Sequence, residues 1–189
     1  MALEPSAEVD SDPSDAEDDA APPACDPIAA ARAILARFPI RAPEDIAIEL
    51  MAAECGAYVV VRRSATADAR VVRDGREAFI AIAPEALDTP RGRFSMAHEF
   101  SHHVMHGAYA GAIRRIHGAP QRGREFRVER EANVCASELI LPTFLFAPMC
   151  VAAEPTLDEV SRVAALFRAS LSATARRWPG LSNAACAFV

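Results

Sequence analysis

TPRGRFSMAHEFSHHVMHG, residues 89–107, opens on a Thr-Pro pair and closes on a glycine. Proline suits the first position of a helix and glycine the residue just past its end, so the stretch reads as one helix. Its decisive feature is the run His98-Glu99-Phe100-Ser101-His102. Side chains four apart on a helix project from the same face one turn apart, and two imidazoles at that separation can meet a single metal ion. Glu99 is rotated by about 100° from His98, beside such an ion, where a carboxylate can hold a water. Phe94, Met96, Ala97, Phe100 and Val104 make the helix apolar on most sides, and polar groups embedded there need partners. His106 continues the histidine face, but eight residues of helix rise about 12 Å, too far for His98 and His106 to share an ion. His106 is therefore expected as a supporting or cleft-lining residue. His103, on another face, and His117 carry no assigned role.

A zinc site of this kind takes a third protein ligand and keeps a position open for water. A further histidine in the metzincin pattern would need glycine where Met105 stands and histidine where Ala108 stands. The acids of the next long helix are the better source. In REFRVEREANVCASELILP, residues 124–142, Glu129, Asn133, Ala136 and Ile140 form one stripe. Glu129 can reach the metal from a helix packed on the first. Asn133, one turn on, can hold the far nitrogen of a ligating histidine. Glu131 and Glu138 are the other candidates.

The rest of the chain supplies the frame. Asp26-Pro27 starts a helix carrying Ile28, Ala31, Leu35 and Phe38. A second is expected from Pro43 to Gly56, with Ile46, Ile48, Leu50 and Met51 buried on two sides. Ala57–Arg62 reads as a strand, and segments 70–73 and 77–83 as a hairpin about Asp74-Gly75. Residues 107–123 read as a loop. Thr156–Phe167, with Thr156 and Glu159 spaced as a capping box, and Ser170–Trp178 read as a helical hairpin. Helices around a small sheet define an α+β fold. The expected division is an acidic disordered tail (1–26), a core (27–147) and a C-terminal helical segment (148–189).

Of the 26 acidic residues, nine lie before Arg32, and the remaining 17 face 20 basic residues, so a net charge of −6 hides a body near +3. The five cysteines are odd in number and lack a Cys-x-x-Cys pair, which suits reduced thiols rather than a disulfide frame. No bilayer-length apolar run or signal peptide is evident, so a cytoplasmic protein with no membrane partner is expected.

Arg93-Phe94-Ser95-Met96-Ala97-His98-Glu99-Phe100-Ser101-His102, with His106 beyond it, resembles the signature of the ImmA/IrrE-type metallopeptidases. So does Glu129-Arg130-Glu131-Ala132-Asn133, followed by Ala136, Glu138-Leu139-Ile140-Leu141 and Pro142. The likeness extends over residues 28–178, through Phe167, Ser170 and Ala175-Arg176-Arg177. Ser101 stands where the family commonly has glycine, and His103 where it commonly has an aliphatic residue. The resemblance implies a zincin-like core holding one Zn2+ on His98, His102 and Glu129, with Glu99 catalytic in the gluzincin manner. It also implies cleavage of a helix-turn-helix transcriptional repressor, releasing stress-response or mobile-element genes. The oxyanion donor stays open among Tyr109, His106 and an arginine of segment 114–130.

Two readings of other classes compete. TLDEVSRVAALFRASLSATARRW, residues 156–178, has a helix-turn-helix cadence, and Arg114, Arg115, Arg122, Arg124, Arg127 and Arg130 add charge for a DNA-binding regulator. DNA contact is the less favoured reading, because the second helix offers few side chains suited to base edges. The other is a regulator that sequesters its repressor without turnover.

Overall fold

The computed structural model describes residues 26–62, 69–74, 77–107, 124–152 and 154–182. Helix α1 (Pro27–Leu35) starts where Asp26 accepts a hydrogen bond from the Ile28 amide at 2.9 Å. The helix expected over 43–56 is broken in two. A 3-10 turn at Pro43–Asp45 comes first, then extended residues 46 and 47, and only Ile48–Glu54 forms α2. Ile46, Ile48 and Met51 are buried, but Leu50 is 66% exposed, so α2 buries one side and not two. Gly56, at φ +78°, turns the chain out of α2 into the sheet.

Strands β1 (Ala57–Val61), β2 (Ala69–Asp74) and β3 (Glu77–Ile82) form one sheet in the order β1-β3-β2. The hairpin expected between β2 and β3 is present, with Asp74 opposite Glu77; its turn residues 75 and 76 lie outside the described residues. β1 pairs parallel to β3, Ala57 opposite Ala78 through Val61 opposite Ile82. On central β3 the alternating residues Ala78, Ile80 and Ile82 are fully buried.

Helix α3 (Pro90–His106) lies against β2 and against α4 (Arg124–Ile140). Thr89 caps α3 by accepting from the Gly92 amide at 3.0 Å. Thr143–Ala152, a stretch with no helix signal in the sequence, forms α5, which contains Pro148. α5 runs through position 147/148, where core and C-terminal segment were divided. Helices α6 (Leu157–Leu166) and α7 (Leu171–Arg177) form the expected hairpin. Only half of the capping box forms: Thr156 caps the Glu159 amide, while the Glu159 carboxylate turns to Arg162. Arg168 links the two helices at φ +51°, a conformation usually given to glycine.

The hairpin shares the core. Phe146 of α5 meets Phe167 and Trp178 edge-on, at centroid separations of 5.7 and 5.9 Å. Such aromatic contacts add about 0.5–1.5 kcal/mol each beyond burial. Glu138 of α4, fully buried, accepts from Arg32 of α1 (3.3 Å), from the Thr143 hydroxyl (2.8 Å) and from Arg177 of α7. One carboxylate thus ties four helices together. Among the described residues no single helix is long and apolar enough to cross a membrane. Cys135 and Cys150 are fully buried in the core.

The start of α3 depends on a close backbone approach. A Cβ on Gly92 would stand 1.9 Å from the Ala86 carbonyl oxygen. Gly92→Ala should therefore destabilise the fold by about 3 kcal/mol, roughly a 6–12 °C fall in Tm. Gly180→Ala, with nothing within 4 Å, should leave Tm unchanged; equal thermal melts for the two variants would contradict this packing.

Candidate metal centre

The spacing of His98 and His102 on α3 aligns their rings edge to face, with centroids 4.6 Å apart and the two Nε2 atoms separated by 3.0 Å. Glu129 reaches over from α4. Its Oε2 is 3.2 Å from His98 Nε2 and its Oε1 3.3 Å from His102 Nε2. These three residues form a group whose ligand atoms all lie within 4.8 Å of one another. For bonds of about 2.0–2.1 Å to a tetrahedral zinc ion, ligand atoms stand about 3.3 Å apart, close to these separations. The carboxylate is nearly half exposed at 46%, so the group opens to solvent.

Hydrogen bonding behind each ring sets where its lone pair points. His98 Nδ1 lies 3.1 Å from Asn133 Oδ1, so in the neutral ring Nδ1–H donates and Nε2 turns its lone pair toward Glu129. Behind His102 stands a longer relay. Glu131 Oε2 is 3.3 Å from His106 Nε2, and His106 Nδ1 is 3.1 Å from His102 Nδ1. The carboxylate accepts from His106 Nε2–H, His106 Nδ1 then accepts from His102 Nδ1–H, and His102 Nε2 is left with a lone pair facing the centre. Burial pushes the His106 imidazolium down more than Glu131 raises it, which suits the neutral ring the relay requires.

The electrostatics favour positive charge at the centre. When the Nε2 atoms carry protons in place of a metal, hydrogen bonds from His102 and then His98 hold the Glu129 carboxyl far below the usual carboxylate range. For His98, burial acts to lower its pKa, but the hydrogen bond and charge of Glu129, with the charge of Glu99, outweigh it and raise it. An ionised carboxylate facing two imidazole nitrogens is a donor set that suits a divalent cation. Glu99 itself is anchored by β2, where the Val71 amide donates to its Oε2 at 2.9 Å.

His98, His102 and Glu129 converge, Asn133 sits behind His98, and His106 stands behind His102. Glu131 belongs to His106 rather than to the centre, and Glu138 is two and a half turns further along α4 in its arginine cluster. His103 bonds the Cys55 carbonyl at 2.9 Å and fastens α3 to the end of α2. Tyr109, His117, Arg114, Arg115 and Arg122 lie outside the described residues. Two features went unread in the sequence: the Glu131–His106 pairing, since Glu131 is rotated about 200° from Glu129, and the Val71 amide, since backbone groups carry no sequence signal.

A histidine pair and a carboxylate on crossed helices beside a three-stranded sheet define a metallopeptidase-like centre. The chain belongs to a peptidase family of that type: the IrrE N-terminal-like domain matches residues 44–179. No curated protein matches the chain. Among solved structures, a Mycobacterium tuberculosis transcriptional regulator shares its fold, with a TM-score of 0.57 at 19% identity. That likeness covers 80% of this chain and 45% of the regulator, so this chain spans less than half of that protein's length.

A His102→Ala variant should lose a divalent ion that the wild type keeps through dialysis, as measured by elemental analysis. Asn133→Ala should weaken retention about tenfold in competition with a chromophoric chelator. A wild type that takes up no ion after exposure to zinc would dismiss the centre.

Proposed function

We propose that this chain is a zinc-dependent endopeptidase that cleaves a helix-turn-helix transcriptional repressor in the cytoplasm, derepressing stress-response or mobile-element genes. The observation that carries this reading is the convergence of two imidazole lone pairs and an ionised carboxylate, with a second carboxylate, Glu99, one residue from His98. The family supports peptide-bond hydrolysis and a regulatory setting. In this reading residues 27–147 form a zincin-like core that carries the chemistry, and 148–189 a helix-turn-helix-like hairpin that braces it. The expected acidic tail lies outside the described residues, except for Asp26, which caps α1.

His98, His102 and Glu129 would hold one zinc ion, which supplies Lewis acidity toward a water and toward the scissile carbonyl. Asn133 and the Glu131–His106 pair keep both Nε2 atoms aimed at the centre. Glu99 is the general base: its carboxylate takes a proton from the attacking water and returns it to the departing amine. The Val71 amide, fixed in β2, orients that carboxylate for both transfers.

Incubating the full chain with a candidate repressor encoded nearby, with and without chelator, tests the reading. Cleavage should require zinc, and Glu99→Gln should keep the metal while losing at least a hundredfold in rate. Stable complex formation without cleavage would establish sequestration instead, and unchanged cleavage by Glu99→Gln would refute the assigned base.

A further inference from the structure

Beside the metal centre lies a cleft of about 460 Å3 between α3, α4 and α7. Two of its walls belong to the centre's own support. Asn133 lines it while bonding His98 Nδ1, and Phe94 lines it with its ring 6.4 Å from the His98 ring. Val134 and Ala173 add apolar surface. Three guanidinium groups, Arg130, Arg176 and Arg177, complete the lining.

Their charges are not equivalent. Arg177 is mostly buried and committed: it pairs with Glu138, reaches the Thr143 hydroxyl at 3.0 Å, and lies 3.5 Å from the Ser137 hydroxyl. Its Nε is nevertheless buried with no hydrogen-bond partner among the described residues. Glu138 offsets its charge. Arg130 and Arg176 are exposed, and neither has an ion-pair partner among the described residues. The cleft thus carries two positive charges that have no ion-pair partner among the described residues, over an apolar floor beside the candidate reactive centre.

We propose that this cleft is a specificity subsite for an acidic side chain of the substrate, glutamate in particular. The inference rests on the peptidase reading, since it supposes a peptide crossing the centre at His98. A glutamate stem of two methylenes can lie on Phe94, Val134 and Ala173 while its carboxylate meets Arg130 and Arg176. Guanidinium groups pair with a carboxylate through parallel charge-assisted bonds, which a neutral amide cannot match. Duplex DNA is the weaker fit, because the charges line a concavity rather than a protruding face, and α7 is only seven residues long.

The zinc-loaded full chain is given a synthetic library of randomised decapeptides, and products are sequenced by mass spectrometry. In parallel, the zinc-loaded Glu99→Gln variant is used to capture intact peptides from the same library. Glutamate should be enriched about tenfold at one fixed position from the scissile bond, and in the captured pool. In Arg130→Gln/Arg176→Gln the enrichment should fall below twofold, with Tm and zinc content unchanged because both arginines are exposed. Cleavage without glutamate preference overturns the subsite and leaves the peptidase reading standing. Glutamate-rich capture that needs the arginines, with no cleavage in either pool, overturns the peptidase reading and keeps an acid-binding cleft. Absence of both removes both. Inorganic phosphate or duplex DNA binding through the same arginines, without glutamate enrichment, would identify a free anion or nucleic acid as the occupant.

Discussion

The crossing of α3 and α4 is the contact on which the rest of the molecule depends. Two histidines on one helix and a carboxylate on another bring three groups that compete for water into a shared, partly desolvated space. Left alone, each would lose more by leaving water than it gains by packing. Brought to within 3.0–3.3 Å of one another, they form a carboxylate facing two aimed imidazoles, a donor set that a divalent cation would satisfy. Any shift of α4 along α3 by one residue would turn Glu129 away by about 100° and disperse the group.

Much of the remaining structure serves to fix that crossing. The sheet supports α3 through β2, which also anchors Glu99. Arg93, buried near the start of α3, bonds the Ile46 carbonyl at 2.7 Å, and His103 bonds the Cys55 carbonyl. The far end of α4 is held by Glu138, whose carboxylate gathers arginines from α1 and α7. Breaking one side of such a buried pair costs about 3–5 kcal/mol, so the C-terminal hairpin is energetically bound to the helix that carries Glu129. Hairpin and core share one apolar cluster, through Phe146, Phe167 and Trp178.

The polar side chains behind the centre act as a directional system. Asn133 and the Glu131–His106 pair each settle the tautomer of one histidine, and each uses a residue of α4. The same helix contributes Arg130 to the neighbouring cleft. One helix therefore presents the acidic ligand candidate, the orienting groups and part of a cationic pocket.

Local pattern alone determined the helices that carry caps and apolar periodicity: Asp26, Thr89, Thr156 and Ser170 all cap as their spacing implies. It also determined the β2–β3 hairpin and the pair His98 and His102, because a helix fixes neighbours four residues apart without outside help. The stripe of α4 singled out Glu129 and Asn133 for the same reason. The rest waited on tertiary structure. Whether Leu50 is covered, whether 43–47 continues a helix, and how β1 joins the sheet depend on what packs alongside. Glu131, Glu138 and the Val71 amide could not be assigned from periodicity, since His106, Arg177 and Glu99, which they respectively meet, lie 25 or more residues away in sequence. Their roles follow from the angle at which two helices cross, a quantity that sums over the whole core and is written in no single stretch of it.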